Sequence, residues 1–297
     1  MRSVAFDGLG CVSIAPRGGE GTNASRSRAL RAALTGIAGG VFSGLTGVGG
    51  GAVMVPLLTG QLGLSQHRAH GTSLAIILFV AVAGVVAYGR AGNIDWPLVL
   101  ALTPGALVGV YLGARAMVKV PALQLRFLFG LFLLFVAFRQ LVWHVSAHAP
   151  QHDVARYAID AGVGFAGGAL AGVLGVGGGA IFVPAIAIFG LAGVAAGEDP
   201  QKVAQGVSLV VIVATALLGT VTNARQAVVA SDVLLWAVPA AVAAAFTAAA
   251  VANRLDAEVL KRIYGVTAAL LAAPTLYTSL RGMWTHERVD AVELGVS

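Results

Sequence analysis

The chain has 297 residues, 58% of them hydrophobic and 11% charged, with a mean hydropathy of +0.86. A soluble domain carries roughly a quarter charged residues, so this composition excludes an ordinary soluble fold and points to an outer surface solvated by lipid. The net charge of +6 would suggest nucleic acid in a soluble protein. Here the basic residues sit in the N-terminal segment and in short gaps between apolar runs, which suits membrane orientation, and no nucleic-acid partner is expected. The single cysteine, Cys11, excludes a disulfide framework and a multi-cysteine metal site. Glycine is abundant, at 40 residues, without a Gly-x-y period, as expected where helices pack closely in a membrane.

In chain order, residues 1–28 read as a disordered basic tail with Arg2, Arg17, Arg26 and Arg28. No apolar core follows Arg2 closely enough for a cleavable signal peptide, so the tail is expected to stay on the cytoplasmic side. Residues 32–66 then contain no Asp, Glu, Lys or Arg, and the same holds for 69–89, 96–114, 127–138, 161–197, 203–224, 233–253 and 263–280. A membrane-crossing helix needs roughly 20 apolar residues. The runs 32–66 and 161–197 are too long for one crossing, and each is interrupted by Gly and Pro. The predicted fold class is an all-α polytopic membrane protein. Repeat 1 covers residues 29–148 and repeat 2 residues 157–282, with about four or five helical segments each. Residues 149–156 form a linker, and 283–297 a C-terminal tail.

The two interruptions share one pattern. Gly47-Val48-Gly49-Gly50-Gly51-Ala52 with Val55-Pro56 matches Gly175-Val176-Gly177-Gly178-Gly179-Ala180 with Val183-Pro184, an offset of 128 (175 minus 47). Upstream, Gly36 matches Gly164 and Gly44 matches Gly172 at the same offset. After an insertion around Gly197–Pro200 the offset becomes 135 (206 minus 71). Gly71-Thr72-Ser73-Leu74 then matches Gly206-Val207-Ser208-Leu209, Gly84 matches Gly219, Arg90 matches Arg225, and Pro104 matches Pro239. So many ordered matches denote a duplication of nearly the whole chain.

If each long run enters and leaves on one face, then Arg26, Arg28, Arg31, Arg68 and the Arg115/Lys119/Arg126 cluster share the cytoplasmic face. The linker then lies outside and the second repeat is inverted. Arg254, Lys261 and Arg262 fall on the outer face against the rule. Inverted repeats with broken helices place a transporter's site near the bilayer midplane.

The paired breaks are the main candidate site: Gly47, Gly49, Gly50 and Gly51 in one repeat, Gly175, Gly177, Gly178 and Gly179 in the other. Glycine permits the tight turn, and non-helical backbone at membrane depth survives only where it is buried or lines a cavity. Freed amides at the next helix start would attract an anion; the glycines could equally serve packing alone. The hydroxyls of Thr72, Ser73 and Ser208 could donate to an oxyanion, or cap helices and bond a turn back. His70 and its counterpart Gln205 are read either as polar ligands or as solvated groups near a helix end. Arg90 and Arg225 could attract or gate an anion, with Gln226 beside the second, or simply complement helix dipoles. A dinucleotide or triphosphate loop is disfavoured, because no strand precedes the glycines and no Lys follows. No nucleophile–base pair, acidic pair, metal-ligand set or cofactor motif is visible, so no enzymatic activity, metal or cofactor is expected.

The stretch Gly39-Gly40-Val41-Phe42-Ser43-Gly44-Leu45-Thr46-Gly47-Val48-Gly49-Gly50-Gly51, with Val55-Pro56 and Gly71-Thr72-Ser73, resembles the TauE/SafE family of sulfite and organosulfonate exporters. So does its echo, from Gly167-Gly168 through Gly175–Gly179 and Val183-Pro184 to Gly206-Val207-Ser208. The resemblance covers about residues 30–282. It implies a multi-pass bacterial inner-membrane secondary transporter of small sulfur oxyanions or sulfonates, with the ion gradient, a proton for example, as driving force. Repeat 1 would rock against repeat 2. One departure stands out: Val207 occupies the position of Thr72, so the halves would contribute unequally. A permease for another small anion, or a non-transporting membrane scaffold, are the alternatives.

Overall fold

The computed structural model describes residues 20–116, 154–174, 179–189, 199–225 and 229–293, with scattered positions between 127 and 138. The named elements are all helical: α1 (Glu20–Thr46), α2 (Gly51–Leu62), α3 (Gln66–Arg90), α4 (Trp96–Ala116), α5 (Val154–Leu174), α6 (Gly179–Phe189), α7 (Pro200–Arg225), α8 (Ser231–Ala252) and α9 (Ala257–Glu293). Among the described residues, six stretches are long and apolar enough to cross a bilayer: Ser25–Thr46, Arg68–Arg90, Trp96–Gly113, Pro200–Val221, Ser231–Ala252 and Glu258–Gly282. Leu100, Leu235 and Leu270 are about 70% exposed on the outside of these helices, a cost in water and none in hydrocarbon. The protein is therefore a multi-pass membrane protein. Helix α1 begins inside the segment expected as a tail, and α9 continues beyond residue 282.

The first long run folds as a re-entrant hairpin. Gly47 and Gly49 have positive φ, and Gly50, also left-handed, stands before α2, so the chain reverses where no Cβ opposes it. The short α2 then returns towards the start of α1, where Arg31 Nη1 donates to the Gln61 carbonyl at 3.4 Å. Gly63, also left-handed, ends α2, and α3 crosses back.

Ion pairs and polar contacts identify the two ends of the bundle. Arg28 pairs with Asp232 at 3.0 Å, so the starts of α1 and α8 share the near end with the close of α2. At the far end, Asn93 Nδ2 donates to Asn253 Oδ1 at 2.6 Å and Lys202 Nζ to the Asn253 carbonyl at 3.3 Å. The end of α3, the end of α8 and the start of α7 meet there. The near end carries Arg26, Arg28, Arg31, Arg68 and Arg115 against Asp232. At the far end Arg90, Lys202, Arg254, Lys261 and Arg262 are interspersed with Asp95, Asp199, Asp256 and Glu258. Arg262 pairs with Glu258 at 3.5 Å. The basic residues that broke the charge rule thus sit among carboxylates.

Packing does not follow the division of the sequence. Along α1, a methyl at Gly36, Gly40 or Gly44 would overlap the carbonyl of Ala237, Ala241 or Ala245, so α1 and α8 run parallel in backbone contact. The duplicate seam is the same: Gly164 and Gly168 of α5 lie on the carbonyls of Leu102 and Ala106 in α4. The partners correspond at the sequence offsets, since Ala237 matches Leu102 and Ala241 matches Ala106. Each repeat has therefore given its fourth helix to the other. One hydrophobic core unites residues of α1, α2, α3 and α8, including Met54, Ile77, Tyr88 and Ala241, and takes in Leu209, Ile212 and Ala216 of α7 and Leu260 of α9. The second unites α4, α6, α7 and α9 around Leu102, Phe182, Val207 and Tyr264, with Leu133 and Ala137 from the 127–138 region and Val163 of α5 against it. Residues 29–148 and 157–282 are thus units of sequence, and the packed bodies are two lobes of mixed origin. Rocking of one whole repeat against the other would have to part the glycine seams.

Between the lobes, α3 and α7 cross antiparallel. Gly84 lies against the Leu209 side chain and Gly219 against that of Leu74, an exchange of equivalent positions.

Candidate substrate site

The glycine break lies where the lobes meet. Residues 46–51 are all buried. The space over Gly49 is closed by Ile77 of α3 and Ile212 of α7, whose methyls stand 3.2 and 3.4 Å from where a Cβ would be. These isoleucines are themselves an equivalent pair. From the second lobe, Gly179 at the start of α6 lies directly on the Val48 carbonyl, with no room for a methyl. The two breaks therefore touch, and the N-termini of α2 and α6 converge on one region. Aligned peptide dipoles give each terminus a partial positive charge.

Helix α7 supplies the polar side chains that reach the first break. Ser208 Oγ donates to the Gly47 carbonyl at 3.2 Å. Gln205 Nε2 donates to the Leu45 carbonyl at 3.3 Å, and its Oε1 accepts from the Tyr88 hydroxyl at 2.6 Å. The Tyr88 oxygen also lies 3.2 Å from the Gly44 carbonyl. Carbonyls released at the end of α1 thus find partners on the opposing lobe, as buried backbone must. Gly47 also allows Gln205 this approach, because a Cβ there would stand 2.7 Å from the Gln205 Cβ.

The remaining expected residues divide clearly. Ser73 is buried on α3, on the face that carries Ile77. Thr72 is also buried, but its Oγ1 accepts the Ala230 N–H at 2.9 Å, at the start of α8. That explains the departure at Val207. Helix α4 is capped by its own Asp95, which accepts the Leu98 N–H at 3.1 Å. Helix α8 starts from Ala230, which has no capping side chain, and uses Thr72 instead. His70 is half-buried in the first turns of α3, on the near side of the break. Arg90 lies about 20 Å along α3 beyond Ile77, exposed at the far end, with its guanidinium 5.9 Å from the centre of the Phe246 ring. Arg225 ends α7 at the near end. Gly175, Gly177, Gly178 and Gln226 lie outside the described residues. Among the described residues no cluster of three or more His, Cys, Asp or Glu could hold a metal ion.

Two site residues escaped the sequence reading. Tyr88 is fully buried and ties the lobes through Gln205; its one signal was a polar counterpart, Asn223, in an equally apolar helix. Ser43 is fully buried on α1 next to the break, and nothing in its own repeat match, Ala171, marked it.

Broken helices whose ends meet inside a lipid-facing bundle define the class as a membrane transporter. Relatives agree. A probable membrane transporter protein of Xylella fastidiosa is 28% identical over 246 residues, covering 81% of this chain and 92% of its own. Bacillus subtilis YunE, also a probable membrane transporter protein, is 25% identical over 271 residues, covering 83% and 97%. B. subtilis YdhB, described in the same words, is 32% identical over 142 residues, covering 46% and 58%. The sulfite exporter TauE/SafE family matches residues 7–139 and 161–295, and the chain belongs to that family. No solved structure matches it.

Proposed function

We propose that the protein is a secondary transporter, and in the cell an exporter, of small sulfur oxyanions such as sulfite or of organosulfonates. It works by alternating access in the bacterial inner membrane and performs no chemistry on its cargo. The observation that carries this reading is the contact of the two glycine breaks, Gly179 on the Val48 carbonyl, at the lobe interface. Two helix N-termini converge there without a described cationic side chain beside them. Backbone dipoles hold an anion less tightly than a buried ion pair, which suits a cargo that must be released.

The moving bodies are the lobes, α1, α2, α3 and α8 against α4, α5, α6, α7 and α9, hinged at the α3–α4 and α7–α8 connections. The antiparallel α3–α7 crossing supports an in-plane two-fold axis, hence inverted repeats. The arginine-rich near end supports a cytoplasmic N-terminus. A proton gradient drives the cycle. The test is uptake of labelled sulfite, with sulfate and chloride as competitors, into vesicles reconstituted with the full chain. Sulfite flux above that of empty vesicles, responsive to a pH gradient, is expected. Absence of flux for sulfite and for a simple sulfonate overturns the reading.

A further inference from the structure

Two buried hydroxyls in the first lobe have no hydrogen-bond partner: Ser43 Oγ and Ser73 Oγ. Both residues are essentially inaccessible, at 0% and 1% exposure. An unpaired buried hydroxyl is costly, and native structures keep few of them without a reason.

Their helix faces converge. On α1, Gly39 lies against Met54 of α2, and a methyl on Gly50 would meet the Gly39 carbonyl at 2.5 Å. Ser43 follows Gly39 by one turn, so it lies on the face turned to the break and the start of α2. On α3, Ile77 lies over Gly49, and Ser73 precedes it by one turn on the same face. Between these serines lies the N-terminus of α2. Val53 and Met54 donate to the Gly50 carbonyl at 3.1 and 3.0 Å. The N–H groups of Gly49, Gly50, Gly51 and Ala52 make no such bond among the described residues. Unpaired amides at a helix start, with two unpaired hydroxyls on the adjoining helix faces, supply the donors that an oxyanion needs.

The second lobe does not repeat this arrangement. Ser43 corresponds to Ala171, and Ser208, the counterpart of Ser73, already donates to the Gly47 carbonyl. We infer that the protein binds its anion off the pseudo-two-fold axis, at the start of α2, with Ser43 and Ser73 as the side-chain donors and Ser208 as a structural tie between the lobes. The ligand class is a compact anion with at least two oxygens, able to accept from both hydroxyls and from the amides of the break. This rests on the transport reading for its cargo but makes a separate claim, that binding is one-sided.

The experiment uses the full chain purified in detergent, with thermal stability followed against sulfite, sulfate, phosphate and acetate at fixed ionic strength. Ser43→Ala and Ser73→Ala each weaken the stabilising anion by ~10-fold or more, as for a hydrogen bond to a charged ligand. Without anion they melt at or above the wild-type temperature, because an unpaired buried hydroxyl has been removed. Ser208→Ala does the reverse: it lowers the anion-free melting temperature and keeps affinity within ~3-fold, because it removes only a bond to the Gly47 carbonyl. Equal loss of affinity in all three variants would mean a site shared across the axis and overturns the inference. Unchanged affinity in the Ser43 and Ser73 variants means that the hydroxyls hold water only, and also overturns it. If phosphate or acetate is the stabilising ligand and Ser43→Ala abolishes the effect, this inference stands and the sulfur-oxyanion reading falls. Binding of no anion overturns this inference, while sulfite flux in vesicles judges the transport reading independently.

Discussion

Gly179→Ala adds one methyl group where the two breaks touch. Gly179 is the first residue of helix α6, so the substitution probes space rather than backbone strain. The new Cβ would overlap the Val48 carbonyl and stand 2.6 Å from Ile212 Cδ1, against an ordinary carbon–carbon contact of about 3.5–4.0 Å. Ile212 can change rotamer, but the Val48 carbonyl is main chain held between Gly47 and Gly49 and cannot. The start of α6 must therefore retreat by about an ångström, and overpacking of this kind costs roughly 1–3 kcal/mol. Gly162→Ala on α5 is the control, because a Cβ there meets nothing within 4 Å; it should be neutral or stabilise by up to about 1 kcal/mol through helix propensity. Denaturant unfolding in detergent measures both variants, and vesicle flux measures transport. Gly179→Ala should insert in the membrane, lose stability in the stated range and transport poorly, while Gly162→Ala behaves as wild type. Wild-type stability and flux in Gly179→Ala would refute the contact between the breaks.

Tyr88→Phe leaves the buried Gln205 Oε1 without its donor and should destabilise the protein by about 1–3 kcal/mol; unchanged unfolding in denaturant would remove Tyr88 as a tie between lobes. Gly40→Ala and Gly168→Ala occupy equivalent seams and should lower the melting temperature by similar amounts; a large effect in only one would contradict the exchanged-helix arrangement. In a Cys11→Ser background, Asp256→Cys should react with a membrane-impermeant thiol reagent in cells with a permeabilised outer membrane, and Ser65→Cys should not. Labelling of both, or of Ser65→Cys alone, would refute the proposed orientation.

The duplication was legible in the sequence because it is written in residues with special backbone demands. Glycines at the breaks and Pro56 and Pro184 keep their spacing whatever the lipid-facing residues do, so the offset survives. The crossing helices were legible because bilayer thickness fixes their length. The exchange of α4 and α8 was not legible. Gly36, Gly40 and Gly44 announce a face for close approach, but the partner is a run of alanines in α8 that looks like any other apolar helix. Hydrophobic patterning cannot choose among such partners when every helix is apolar on several sides. The same limit hid the difference between Ser73 and Ser208: identical residues at matched positions, one with a carbonyl in reach and one without.

The exchanged helices also constrain how the chain is made. Helix α1 leaves the ribosome long before α8, which carries the alanine carbonyls its glycines rest on. Helix α4 likewise waits for α5. Each early helix can stay in lipid meanwhile, because its own backbone is internally bonded. Neither lobe can close from the first half of the protein alone: the first lacks α8, and the second has only α4 with Leu133 and Ala137. Folding is thus divided into insertion, which proceeds span by span, and assembly, which begins late and completes both lobes almost together. A chain truncated before residue 231 should accordingly reach the membrane with α1 unpaired, exposing a glycine groove to quality-control proteases that the full-length protein conceals.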